Sequence, residues 1–177
     1  MNHDSYSDDY IAGILSGVRT FAVVGASANP VRASYIVMQY LIAKGYEVKP
    51  VNPGLAGQTL LGRKVYASLA EIEDGADCVD VFRNSDAALG VVREAIALKE
   101  KLGLKAIWMQ LSVRNDVAAA EAEAAGLSVV MNRCPKIEYG RLSGEIGWFG
   151  INTGIVSSKL PKLSARGIQS LSLAKRK

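Results

Sequence analysis

The stretch FAVVGASANPVR, residues 21–32, decides how the chain is read. An apolar run of β-branched and aromatic residues leads straight into Gly25-Ala26-Ser27 and then Asn29-Pro30. A buried strand, a glycine turn and the start of a helix together make the place where nucleotide-binding α/β proteins hold a phosphate. The dinucleotide fingerprint G-x-G-x-x-G is not there: Gly25 is its one glycine, and Pro30 stands where the third would fall.

Outward from this stretch, short apolar runs alternate with helical patterns. Strands are expected at 20–24, 46–51, 77–82, 105–109 and 127–131. Helices are expected at 8–18 (Ser7 or Asp8 as N-cap), 33–44, 85–102 (Ser85 as cap) and 116–125. Between residues 55 and 72 lie a glycine-bearing loop, a short strand at 64–66, and a short helix with Ser68 and Glu71 in capping-box spacing. After Pro135 the pattern fades. This alternation predicts an α/β fold, a Rossmann-like doubly wound five-stranded parallel sheet with helices on both faces. The expected strand order is 3-2-1-4-5, with a ligand crevice at the carboxyl ends of the first and fourth strands. The chain divides into a domain at 1–142, including the N-terminal helix, and an extension at 143–177.

The composition suits one packed domain: 49% of the 177 residues are hydrophobic. No apolar run approaches the ~20 residues that span a bilayer. The polar, acidic start MNHDSYSDDY lacks signal-peptide character, so a cytoplasmic location is expected. The net charge of +4 belongs to the tail, since residues 159–177 hold six Lys/Arg and no acid. Without them, 15 basic residues face 17 acidic ones. No aromatic residue is interleaved with the tail charges, so it reads as a solubilising end and nucleic acid is not the expected partner. The apolar GWFGINTG at 147–154 is a candidate for packing on the domain edge, a second subunit or a partner protein.

The strand ends carry the candidate site. Gly25 permits a tight turn, Ser27 offers its hydroxyl and backbone N–H groups, and Arg32 stands ready for a second phosphate. At the second strand end an NAD site wants Asp or Glu for the ribose; here stand Asn52 and Pro53. At the third, Phe82 and Arg83 are suited to stacking on adenine and pairing with phosphate. Gln110 and Asn132 are amides suited to a neutral ligand group. Cys134 is the one candidate nucleophile. It has no histidine base, although Arg133 and Lys136 are placed to lower its pKa, and both it and Cys78 read as buried structural thiols. His3, the only histidine, falls in a terminus expected to be mobile and receives no role. No catalytic triad, metal-spaced cluster or paired carboxylates stand out, so no catalytic residue is assigned.

Taken together, the pieces VVGASANPVRASYIVMQYLIAKGYEVKPVNP, GRKVYASLAEI, DCVDVFRNSD, KAIWMQLSVRND and AGLSVVMNRCPKIEY resemble, in order, the small CoA-binding domain family. That family is similar to the N-terminal domain of the succinyl-CoA synthetase alpha subunit. The resemblance implies a domain that holds coenzyme A, or an acyl-CoA, by its adenosine and pyrophosphate portions. It carries binding onto Gly25, Ala26, Ser27, Arg32, Asn52, Pro53, Phe82, Arg83 and Gln110. The synthetase subunit continues into a domain with a phosphorylated histidine; here no histidine follows His3. The expectation is therefore a binder without chemistry of its own, with an NAD(P)-dependent oxidoreductase or redox sensor as the competing reading.

Overall fold

Thr20–Val24 (β1) is rich in β-branched and aromatic residues with no charge, and it forms an interior strand of a parallel sheet, with a neighbour on each side. The computed structural model describes residues 1–145; the basic tail and the GWFGINTG stretch lie outside them. Beside β1 run Glu47–Val51 (β2) and Cys78–Val81 (β5), followed outward by Ala106–Met109 (β6) and Ser128–Val130 (β7). Every pairing is parallel, and the order is β2-β1-β5-β6-β7. A two-stranded hairpin of Thr59–Leu60 (β3) and Arg63–Lys64 (β4) lies in the connection from β2 to β5.

The five parallel strands and the two-sided helix cover agree with the sequence reading; the strand order does not. Counting main-sheet strands in sequence, the order is 2-1-3-4-5 rather than 3-2-1-4-5. The winding therefore reverses between β1 and β5, and the crevice expected at the first and fourth strands moves to the first and third. Gly25 makes the contact close: a Cβ there would lie 2.6 Å from the Phe82 carbonyl oxygen.

The helices sort by sheet face. Asp8–Gly17 (α1), Ala33–Ala43 (α2) and Pro135–Leu142 (α6) cover the face bearing Phe21, Val23, Cys78 and Trp108. Ser85–Ala97 (α3) and Asp116–Ala124 (α5) cover the face bearing Ala22, Val79, Ile107 and Val129, with the single turn Lys99–Leu102 (α4) following α3. Ser7 caps α1 as expected, its hydroxyl oxygen accepting from the Tyr10 N–H. The cap of α3 is Asn84, not Ser85. The Ser68–Glu71 box does not form; Glu71 accepts from the Ala67 N–H, and the Leu69 N–H donates to Glu94. Helix α6, absent from the sequence reading, starts with Pro135 in its first turn, where a missing N–H costs nothing.

The N-terminus, expected to be mobile, is docked. The α-amino group donates to Glu123 at 2.9 Å, and His3 is 8% exposed with Nδ1 2.9 Å from the Tyr6 hydroxyl. Tyr6 and Tyr10 stack at 5.8 Å along the outer edge of β7. The Tyr10 hydroxyl accepts from the Val129 N–H and donates to its carbonyl, while the Tyr6 hydroxyl accepts from the Met131 N–H. At the opposite edge, Tyr66 donates its N–H to Pro50 O and accepts from the Asn52 N–H.

Candidate functional site

The chain turns sharply after β1. Gly25 sits at φ +91°, and the Gly25 and Ala26 N–H groups both donate to Val51 O, at 3.0 and 3.3 Å. Those two donors are used by the fold, so the backbone contribution expected from the loop must come from further along. Ser27 Oγ accepts from the Asn29 N–H, and Asn29 Oδ1 accepts from the Val31 N–H, folding residues 27–31 into a tight turn. That turn delivers the chain into α2 with Arg32 at the N-cap. Arg32 makes no capping hydrogen bond, so no N-cap side chain takes up the first-turn N–H groups of α2. An open helix start of this kind favours an anion.

Asn52 ties β2 to this turn. Its Nδ2 donates to Ala26 O at 2.7 Å, and its Oδ1 accepts from the Gly54 N–H at 2.8 Å. At the end of β5, Phe82 is half-buried and Arg83 is exposed. Neither Arg83 nor Arg32 has a carboxylate partner among the described residues.

Seven of the nine expected residues line one cavity of about 670 Å³: Gly25, Ala26, Ser27, Arg32, Asn52, Phe82 and Arg83. Ala33, Ser34 and Asn84 complete the lining, and no carboxylate is among them. Two arginines and one open helix start thus face a cavity without a counter-charge. Sequence reasoning missed Ser34, buried on the first turn of α2; its place just after the loop was the available signal.

The two remaining residues are not among those lining the cavity. Pro53 is exposed and opens a 3₁₀ turn, Pro53–Leu55. Gln110 is buried, and its Nε2 lies 2.9 and 3.0 Å from the two carboxyl oxygens of Asp80. Asp80 is fully buried in the middle of β5, and burial pushes its pKa up to about 8, against the smaller opposing effect of the Gln110 bond. Asn132, at φ +52°, uses its side-chain oxygen to accept from the Ser112 N–H. Cys134 is 7% exposed, and burial raises its thiol pKa despite nearby backbone N–H groups and Lys136. That environment favours the thiol over a thiolate, as expected for a structural cysteine.

Among the described residues no three His, Cys, Asp or Glu side chains are grouped to hold a metal ion. None of their helices is long and apolar enough to cross a membrane.

The fold and its strand-end cavity define a doubly wound α/β protein of Rossmann-like type. Residues 19–140 match the model of the CoA binding domain, and the chain belongs to that family. It is similar to the uncharacterized protein YneT of Bacillus subtilis (strain 168), with 34% identity over 129 residues, covering 73% of this chain and 91% of the other. A solved hypothetical protein from Pyrococcus horikoshii OT3 superposes with a TM-score of 0.72 at 39% identity, covering 80% of this chain and 95% of the other. A shorter match joins 63 residues, 33% of this chain, to 14% of the alpha subunit of acetate–CoA ligase (ADP-forming) I from Pyrococcus furiosus, at 44% identity.

Proposed function

We propose that the chain binds coenzyme A or an acyl-CoA in the cavity at the carboxyl ends of β1, β2 and β5, as a binding module rather than a catalyst. The observation that carries this reading is the pairing of the family match with a cavity whose two arginines lack acidic partners. Arg32, Arg83 and the open start of α2 suit the phosphates, and Phe82 offers a ring to the adenine. Gly25, Ala26, Ser27 and Asn52 shape the wall, with Pro53 as a support behind Asn52. The binding unit is residues 1–142, with 143–177 as an extension. Two free cysteines suit a cytoplasmic setting.

Asn52 also argues against NAD, whose ribose hydroxyls call for an acid at this position. A thermal-shift comparison of CoA, acetyl-CoA, NAD, NADP and ATP separates the readings. A ligand at about 100 times its dissociation constant adds about 2.7 kcal/mol to stability. The expected result is a clear rise in Tm with CoA or acetyl-CoA; a rise with NAD and none with CoA would reject the proposal.

Arg83→Ala is expected to weaken CoA binding about tenfold, the loss of one charge-assisted hydrogen bond at a partly exposed site. Calorimetric titration reads it directly, and an unchanged affinity would take Arg83 out of the site.

A further inference from the structure

β5 is apolar at Val79 and Val81, and Asp80 between them is a residue a strand core ordinarily replaces with an aliphatic one. Its side chain points to the face covered by α2 and α6, directly below Phe82 on the same strand. The register pairs Asp80 with Trp108, and Val81 with Met109. One step further along, Gln110 stands beside Phe82 on that same face, next to the part of the cavity wall that Phe82 provides.

The Gln110 carboxamide has a donor end and an acceptor end, and fixing one fixes the other. Nε2 lies 2.9 and 3.0 Å from the two Asp80 oxygens and donates to the one that carries no proton. No described group donates to Oε1, and the one fully buried side-chain nitrogen or oxygen without a hydrogen bond among the described residues is His3 Nε2, 3.4 Å from a Glu123 oxygen. Gln110 Oε1 therefore keeps contact with solvent at the strand ends. The titratable groups facing Asp80 are the thiols of Cys78, on its own strand, and Cys134, at the start of α6.

We propose that Asp80 is a positioning residue for an amide-bearing ligand arm: by engaging Gln110 Nε2 it turns Oε1 toward the crevice, as an acceptor for a ligand N–H. This rests on the reading that the ligand is CoA, whose pantetheine arm carries amide N–H groups. The phosphate end is held at β1, β2 and β5, and the arm runs across the end of β6.

The test compares two probes, CoA and adenosine 3′,5′-bisphosphate, which lacks the arm. Titrations use the full chain and its Asp80→Val, Asp80→Asn, Gln110→Ala and Asp80→Val/Gln110→Ala variants, with melting curves to confirm folding. Asp80→Val is expected to weaken CoA about tenfold and leave the bisphosphate unchanged. Asp80→Asn, which keeps an acceptor oxygen, retains most of the CoA affinity. In the Gln110→Ala background, Asp80→Val adds no further loss. Equal loss for both probes, no loss for either, or an additional loss in the double variant would overturn the inference. Bisphosphate binding with no CoA binding by the unmodified chain would also overturn it, while failure to bind either probe would reject the ligand reading itself.

Discussion

Gly25→Ala is expected to lower stability by about 3 kcal/mol and to weaken CoA binding about a hundredfold. Two costs combine in the fold. An alanine held at φ +91° loses about 1–2 kcal/mol to the clash of Cβ with its own backbone. The same Cβ would lie 2.6 Å from Phe82 O, 3.1 Å from Phe82 C and 3.3 Å from Arg83 Cδ. Relief requires β1 and β5 to part where the Phe82 N–H donates to Val24 O at 2.8 Å, a strain of about 1–3 kcal/mol. The shift moves Phe82 and Arg83 away from Ser27 and Arg32, and displacements of about 1 Å at a positioned site cost on the order of a hundredfold. Gly45 provides the control: it also has positive φ, +84°, but an added Cβ would meet open space. Gly45→Ala is expected to lose only about 1 kcal/mol and to bind as the unmodified chain does. Urea unfolding and calorimetric titration check both variants. Normal CoA affinity in a folded Gly25→Ala chain would place the ligand elsewhere.

Asp80→Asn is expected to change the pH dependence of stability more than any other single carboxylate substitution. The folded pKa, about 8, lies well above the usual value of about 3.9 for an unfolded aspartate. Between those values the folded chain keeps a proton that the unfolded chain releases, so stability falls as pH rises across this window. The slope approaches about 1.4 kcal/mol per pH unit and levels off above pH 8. Asparagine has no such proton. The variant's stability relative to the unmodified chain should rise by about 3–4 kcal/mol between pH 5 and pH 8. Denaturant midpoints at the two pH values measure the difference, and other titrating groups cancel in the comparison. Stability curves that run parallel from pH 5 to pH 8 would show that Asp80 is not held neutral.

The strands were legible because each combines β-branched residues with clear boundaries: Thr20–Val24 is recovered to the residue, and the others to within one or two at each end. Their order was not legible. Strands buried on both faces show an apolar run whatever lies beside them, so periodicity is silent about neighbours. Gly25 held part of the answer, since its lack of a side chain is what admits the backbone of Phe82. Helix α6 escaped because its buried residues, Pro135, Glu138, Tyr139 and Gly140, make no apolar stripe. At the site, chemistry-bearing residues at strand ends were readable from the α/β pattern, and seven of nine line one cavity. Gln110 was placed with them, but its tie to Asp80 depends on the β5–β6 register, which no local pattern encodes. The aspartate inside CVDVF stood in plain view, but nothing local to it names Gln110 as its partner.

The two tyrosines along β7 bear on how the molecule coexists with its own copies. A parallel sheet ends in rows of unsatisfied backbone groups, and such rows recruit other chains into shared sheets. Here one rim is closed by the phenol groups of Tyr6 and Tyr10, and the other by Pro50, which has no N–H, together with the backbone of Tyr66. The rim groups so occupied, at Val129, Met131, Pro50 and Asn52, are not open to a strand of another copy. Removing the first ten residues would expose the Val129 and Met131 N–H groups that Tyr10 and Tyr6 now occupy, and an open strand edge is a template for pairing with another chain.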